Sequence, residues 1–148
     1  MNLADWRRNG WLKAHRTSET EIRGLLAVVE RDLGDSAAKA VSADWRLAIA
    51  YNAALQAATA ALAAAGYRAS RDQHHYRVIQ SLEATIGAEP ELIALLDSFR
   101  RKRNTADYER AGVVSDGEAK EMRHLAIRIR DDVVTWLRQH HPNLLASR

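Results

Sequence analysis

The sequence predicts an all-α fold: an up-and-down bundle of four to five antiparallel helices, with a short N-terminal helix packed on it. Three observations carry that expectation. Ala, Leu, Arg and Glu are abundant, and these residues lose little side-chain freedom in a helix. Only 7 Gly and 2 Pro interrupt 148 residues, so turns must be few. Ser-rich capping signals then introduce apolar stripes of helical period, with no strand pattern between them. The length fits one domain, 1–148, and an apolar fraction of 47% against 28% charged marks an ordered globular chain.

The elements follow in order. Residues 4–15 carry Trp6, Trp11 and Leu12 among charges, a short amphipathic helix lying over the ends of longer ones. Ser18-Glu19-Thr20-Glu21 fits a capping box, followed by Ile22, Leu25, Leu26, Val29 and Leu33, with Gly34 as the stop. Ser42 caps a third helix that runs to about Ala65, before Gly66. Its stripe is Leu47, Tyr51, Ala54, Ala58, Ala61, Leu62 and Ala65, and alanines all round the cylinder make it the central helix. Ser70 starts a fourth, using His75, Tyr76, Ile79, Leu82 and Ile86 and stopping at Gly87. Pro90 suits the first turn of a fifth, striped by Leu92, Leu95, Leu96 and Phe99. Ser115-Asp116-Gly117-Glu118 opens the last, where Met122, Leu125, Ile129, Val133, Trp136, Leu137 and His140 hold register until Pro142.

Several function classes are excluded or disfavoured. With no cysteine there is no disulfide, thiolate metal site or cysteine nucleophile. Charges at Asp5, Arg7 and Arg8 leave no room for the apolar core of a signal peptide, and the run Ala53–Gly66 is too short and polar to span a bilayer, so a cytoplasmic location without membrane association is expected. Six histidines include no pair at i, i+4 with a nearby Glu, so no metal site is expected, and no cofactor motif is present. His74 and His75 read as the start of a helix, one ring against the core and one in water. Trp6, Trp11, Trp45 and Trp136 read as core or interface anchors. Arg123, Arg128 and Arg130, interleaved with acids, read as a solvated mixed-charge face.

The fifth helix carries the segment of most functional interest. Past Phe99 its stripe continues to Arg103, Ala106 and Asp107, so an apolar face becomes a charged one. An unpaired buried guanidinium costs several kcal/mol, so Arg103 must be paired, hydrated or facing a groove or partner; Asp107 stands one turn on. Between Arg100 and Arg110 the local charge excess equals the +3 of the whole chain. Guanidinium groups bind phosphate through paired N–H donors, so Arg100, Arg101 and Lys102 are candidate RNA or phosphate contacts. The same charges also fit a solvated helix end, where cations favour the dipole.

Arg103-Asn104-Thr105-Ala106-Asp107-Tyr108 resembles the Arg-Asn motif of HEPN domains, the higher-eukaryote and prokaryote nucleotide-binding family, and its Asp-Tyr ending resembles a bacterial branch. Further similarity lies in Asp44-Trp45-Arg46, in the helix through Tyr51, in Gly66-Tyr67 and in His74-His75, so that it covers roughly residues 40–140. The resemblance implies a helical bundle that forms a homodimer around the motif and engages RNA or a nucleotide. Many members are metal-independent endoribonucleases, often toxins encoded beside a nucleotidyltransferase-type antitoxin partner. Arg103, Asn104, Asp107 and Tyr108 are then the candidate catalytic residues: Arg103 steadies the phosphorane, and Asn104 positions a strand or braces the motif. The departure is Tyr108, which stands where the family's His is expected. An unperturbed Tyr has a pKa near about 10 and is a poor base at neutral pH, which leaves open an acid, a stacking platform or a stiffener of a binding site. Arg103 and Tyr108 lie about 140° apart on an ideal helix and converge only if the helix ends between them or a second subunit supplies one. His75 could approach the same cleft. The alternative reading is a non-catalytic helical interaction module that holds a nucleotidyltransferase or another protein, and a purely structural adaptor is a third.

Overall fold

The computed structural model describes residues 2–108, with backbone alone at 107 and 108, and residues 111–145. The chain is an all-α bundle, with helices α1 (Leu3–Arg8), α2 (Glu19–Asp35), α3 (Ala43–Ala64), α4 (His74–Gln80), α5 (Leu82–Thr85), α6 (Pro90–Tyr108) and α7 (Asp116–His140). A 3-10 turn, Pro142–Leu144, follows α7. Two short strands not expected from the sequence, β1 (Leu12–Ala14) and β2 (Tyr67–Ala69), pair antiparallel with Leu12 opposite Ala69 and Ala14 opposite Tyr67.

The central position of α3 follows from its side chains. Leu47, Tyr51, Ala54, Ala58, Ala61 and Leu62 are buried as the stripe requires, and so are Ala50, Ala53, Ala57 and Ala60 on other faces. Small residues let neighbours approach on every side, so α3 packs most extensively on α7 and α2, and also on α4, α5 and α6. At 22 residues α3 is longer than the apolar run in its second half and is, by length and composition, apolar enough to cross a membrane. In the fold, 72% of its most apolar window is buried by protein.

Inter-helix contacts fix the helix directions. Arg46, early in α3, pairs with Asp116 at the start of α7, so these two helices run in the same sense. Arg123 and Arg130 of α7 meet the Leu33 carbonyl and Glu30 of α2 in reversed order, so α2 runs opposite to both. Asn52 of α3 donates to the buried Asp32 of α2 at 2.7 Å.

Ser42 and Ser115 cap α3 and α7 as their sequences dictate, the latter in a full capping box with Glu118. Four local expectations need correction. The N-terminal helix stops at Arg8, because Gly10 turns the chain at φ +80 and Leu12 enters the sheet, 2% exposed. Only half of the box at α2 forms: Ser18 accepts from Glu21 N, but the Glu21 carboxylate takes Thr17 and His15 instead of turning back. Gly34 does not end α2, since the free Leu33 carbonyl is satisfied by the Ser36 hydroxyl and by Arg123 Nε, so no left-handed glycine is needed. Ser70 does not start a helix either. It bonds back to Gly10 and Trp11, holding the sheet to the N-terminal segment, and α4 begins four residues later after Gln73 at φ +53.

Trp45 is the clearest misreading among the aromatics. It is 60% exposed at the head of α3, whereas Trp6 and Trp136 are partly buried against the core and Trp11 meets Trp6 edge to face. On the predicted stripe of α7, Met122, Leu125, Ile129, Val133 and Leu137 are buried, while His140 is exposed beside Trp136.

Candidate nucleic-acid interface

The apolar stripe of α6 is real: Leu92, Ile93, Leu96 and Phe99 are buried. One turn past Phe99 the same face reaches the half-buried Arg103. Its guanidinium lies 5.6 Å from the centre of the Tyr51 ring, and its Nη1 donates to Asn104 Oδ1 at 3.4 Å. An aromatic face is a favourable neighbour for a cation that has lost part of its water.

Tyr51 links two helices at this point. Its ring is buried in α3, and its hydroxyl meets His75 Nδ1 of α4 at 3.3 Å. Burial pushes the phenol well above its ordinary range, although the charges of Arg100 and Arg103 oppose this, so the hydroxyl keeps its proton. The imidazole of His75 is lowered from its usual value, first by burial and then by the positive charges of Arg103, His74 and Arg100. His75 is therefore neutral at pH 7. If the phenol donates to Nδ1, the ring's own N–H sits on Nε2, and if the tautomer is reversed, Nε2 becomes a free acceptor.

A cleft of about 460 Å³ opens beside this pair, lined by Gln73, His74, His75, Tyr76, Arg100 and Asn104. As the sequence suggested, His74 is exposed and His75 half-buried. Arg100 is set by Asp97, a buried carboxylate that accepts from Arg100 Nε at 2.7 Å and from Arg101 Nη1 at 2.9 Å. That hydrogen bond raises the Arg100 pKa further, so the group is a permanent cation. Arg77 lies above the rings of Trp11 and Tyr76, at 3.8 and 5.4 Å from their centres, and fixes the outer wall.

The structure thus gathers only part of the predicted set. Arg100 and Asn104 line the cleft, and Arg103 lies next to them on α6 against Tyr51. Arg101 is mostly exposed, and Lys102 turns to the other side of α6, where it pairs with Glu118 of α7 at 3.2 Å. The side chains of Asp107 and Tyr108 lie outside the described residues, although α6 runs unbroken from Arg103 through Tyr108. Among the described residues no group of three or more His, Asp or Glu side chains could hold a metal ion. Two contributors had weak sequence signals: Tyr51, which read as a stripe residue, and Asp97, whose spacing to Arg100 and Arg101 is the i, i+3 and i, i+4 spacing of helical ion pairs. No family model, curated protein or solved structure matches the chain.

Proposed function

We propose that this chain is a HEPN-type protein that engages RNA or a nucleotide at the cleft between α4 and α6. One observation carries the reading. His75, an imidazole kept neutral by burial and nearby positive charge, stands beside Arg100, Arg103 and Asn104 and shares Tyr51 with Arg103. The cleft therefore offers phosphate the Arg100 guanidinium, the amides of Gln73 and Asn104 and two imidazoles, while Tyr76 and His74 offer ring faces to a base.

The resemblance adds metal-independent endoribonuclease chemistry, possible here without the motif His if His75 takes its place. The 2′-hydroxyl of RNA would lose its proton to His75 Nε2 and attack its own phosphorus. Arg103 would steady the phosphorane, and the 5′-oxygen would leave with a proton from water or from the imidazolium. The second reading, a non-catalytic module, is favoured by the Tyr51 hydroxyl itself. A phenol that donates to Nδ1 leaves Nε2 as a donor, which suits holding a phosphate better than removing a proton. The homodimer around α6 and a nucleotidyltransferase-type antitoxin partner belong to this proposal as well, and so does a toxin role.

The deciding experiment incubates the protein with single-stranded RNA in EDTA. The enzyme reading expects 2′,3′-cyclic phosphate ends, abolished by Arg103→Ala and reduced about a hundredfold or more by His75→Gln. The binding reading expects intact RNA, with saturable affinity that Arg103→Ala weakens. A folded protein that neither cleaves nor binds any RNA would overturn both and leave the protein-interaction module.

A further inference from the structure

A second basic cluster lies away from the cleft, where the end of α2 and the starts of α3 and α7 meet. A cavity of about 260 Å³ there is lined by Ser36, Lys39, Arg46, Lys120, Arg123 and His124, with Ala37 and Ala119 completing the wall. Among the described residues no carboxylate belongs to the lining, and Asp116, itself mostly exposed, pairs with Arg46. Two arginines and two lysines line the cavity.

Both guanidinium groups are oriented by backbone carbonyls, and Arg46 is also paired with Asp116. Arg46 Nε donates to the Val41 carbonyl at 2.9 Å, and Arg123 Nε donates to the Leu33 carbonyl at 3.1 Å. A carbonyl orients a guanidinium without cancelling its charge, so both side chains are set in place; one terminal nitrogen of Arg46 is taken by the exposed Asp116, and the guanidinium groups retain further N–H donors for an acceptor. The positive end of α7 adds to the field, and the last carbonyls of α2 subtract from it, although Arg123 and Ser36 cover one of them. Trp45, 60% exposed, precedes Arg46 at the head of α3 and stands about 100° round the helix from it, an exposed flat apolar ring one residue from a lining residue.

We propose that this pocket binds the terminal phosphate of a nucleoside phosphate, with Lys39, Arg46, Lys120 and Arg123 taking the phosphate and Trp45 stacking on the base. A terminal phosphate carries close to two negative charges where a phosphodiester carries one, which suits a site with this excess of cations. The pocket is separate from the α4–α6 cleft, and the proposal stands whether or not the cleft binds RNA. The same chemistry exists on a free nucleotide and on the 5′ end of an RNA.

Calorimetric titration with ADP, with pyrophosphate and with a short RNA bearing either a 5′-phosphate or a 5′-hydroxyl tests it. ADP should bind at one site per chain. The double variant Lys39→Ala with Lys120→Ala, both exposed side chains whose loss leaves the core intact, should bind it tenfold or more weakly while its circular dichroism is unchanged. Trp45→Ala should weaken ADP but not pyrophosphate, and Arg103→Ala should change neither. Preference for the 5′-phosphorylated RNA over both ADP and the 5′-hydroxyl RNA would identify an RNA end as the source, and preference for ADP a free nucleotide. No saturable binding of any probe, or binding that survives the double lysine variant, would overturn the proposal. Equal affinity for ADP and pyrophosphate would overturn the role of Trp45.

Discussion

The two basic clusters of this bundle are similar in composition and opposite in what holds them. In α6 the carboxylate of Asp97 holds Arg100 and Arg101, and Glu118 holds Lys102, so much of the charge that looks concentrated in the sequence is spent inside the fold. At the junction of α2, α3 and α7 Arg123 rests on a backbone carbonyl, and Arg46 on a carbonyl and on the exposed Asp116, so less of the charge there meets a buried acid. Counting cations along the chain singled out the first cluster and passed over the second, where Arg123 read as part of a solvated face. The difference teaches that a basic patch is defined by its acceptors as much as by its cations. At the α6 cleft the distinguishing feature is less net charge than the way Arg103 and His75 are both set against Tyr51.

The comparison can be broken at its anchors. The largest effect is expected from Asp97→Ala, which strands a partly buried Arg100 beside Tyr51 and Tyr76. Breaking a fully buried pair costs about 3–5 kcal/mol, and because Arg100 keeps some solvent the loss here should be about 2–3 kcal/mol in urea denaturation. Asp116→Ala removes an exposed partner of Arg46 and should cost less than about 1 kcal/mol in the same measurement. Equal losses would erase the distinction drawn between the clusters.

His75 gives a pH-dependent effect of intermediate size. Its folded-state pKa lies below the ordinary value of about 6.5, so as pH falls the unfolded chain takes the proton first. The stabilising contribution is complete above about pH 6.5 and is lost as pH falls from there to the lower folded-state value. Denaturation midpoints should therefore drop on acidification through this window, and His75→Gln should flatten that drop. An unchanged slope would place the ring in water rather than against Tyr51. The smallest effect belongs to Lys102→Ala, which should cost a few tenths of a kcal/mol through Glu118 and leave RNA affinity unaltered. An RNA defect as large as that of Arg100→Ala would restore Lys102 to the contact surface.

Much of the fold was legible because its signals are local. Ser42, Ser115 and Pro90 mark helix starts, Gly66 at φ +100 and Gly87 at φ +69 mark ends, and the stripes between them are long enough to show their period. The strands were not legible, since three residues are too few for an alternation and Leu12 finds Ala69 across more than fifty residues of chain. Trp45 escaped for a related reason: its helix is apolar all round, so sequence gives no face from which to tell inside from outside. In the candidate site, Arg103 and Asn104 were visible as a motif on one helix. Their meeting with His75 depends on the buried Tyr51 of α3 and on the displaced start of α4, neither of which periodicity specifies.

Fluorescence anisotropy of a labelled single-stranded RNA, titrated with wild type, Arg103→Ala and His75→Gln across a salt series, tests the cleft most directly. The account predicts saturable wild-type binding that weakens with salt and a loss of tenfold or more in Arg103→Ala, with Lys39→Ala and Lys120→Ala together sparing an RNA that carries a 5′-hydroxyl. Binding in which Arg103→Ala and His75→Gln match wild type at every salt concentration would contradict it.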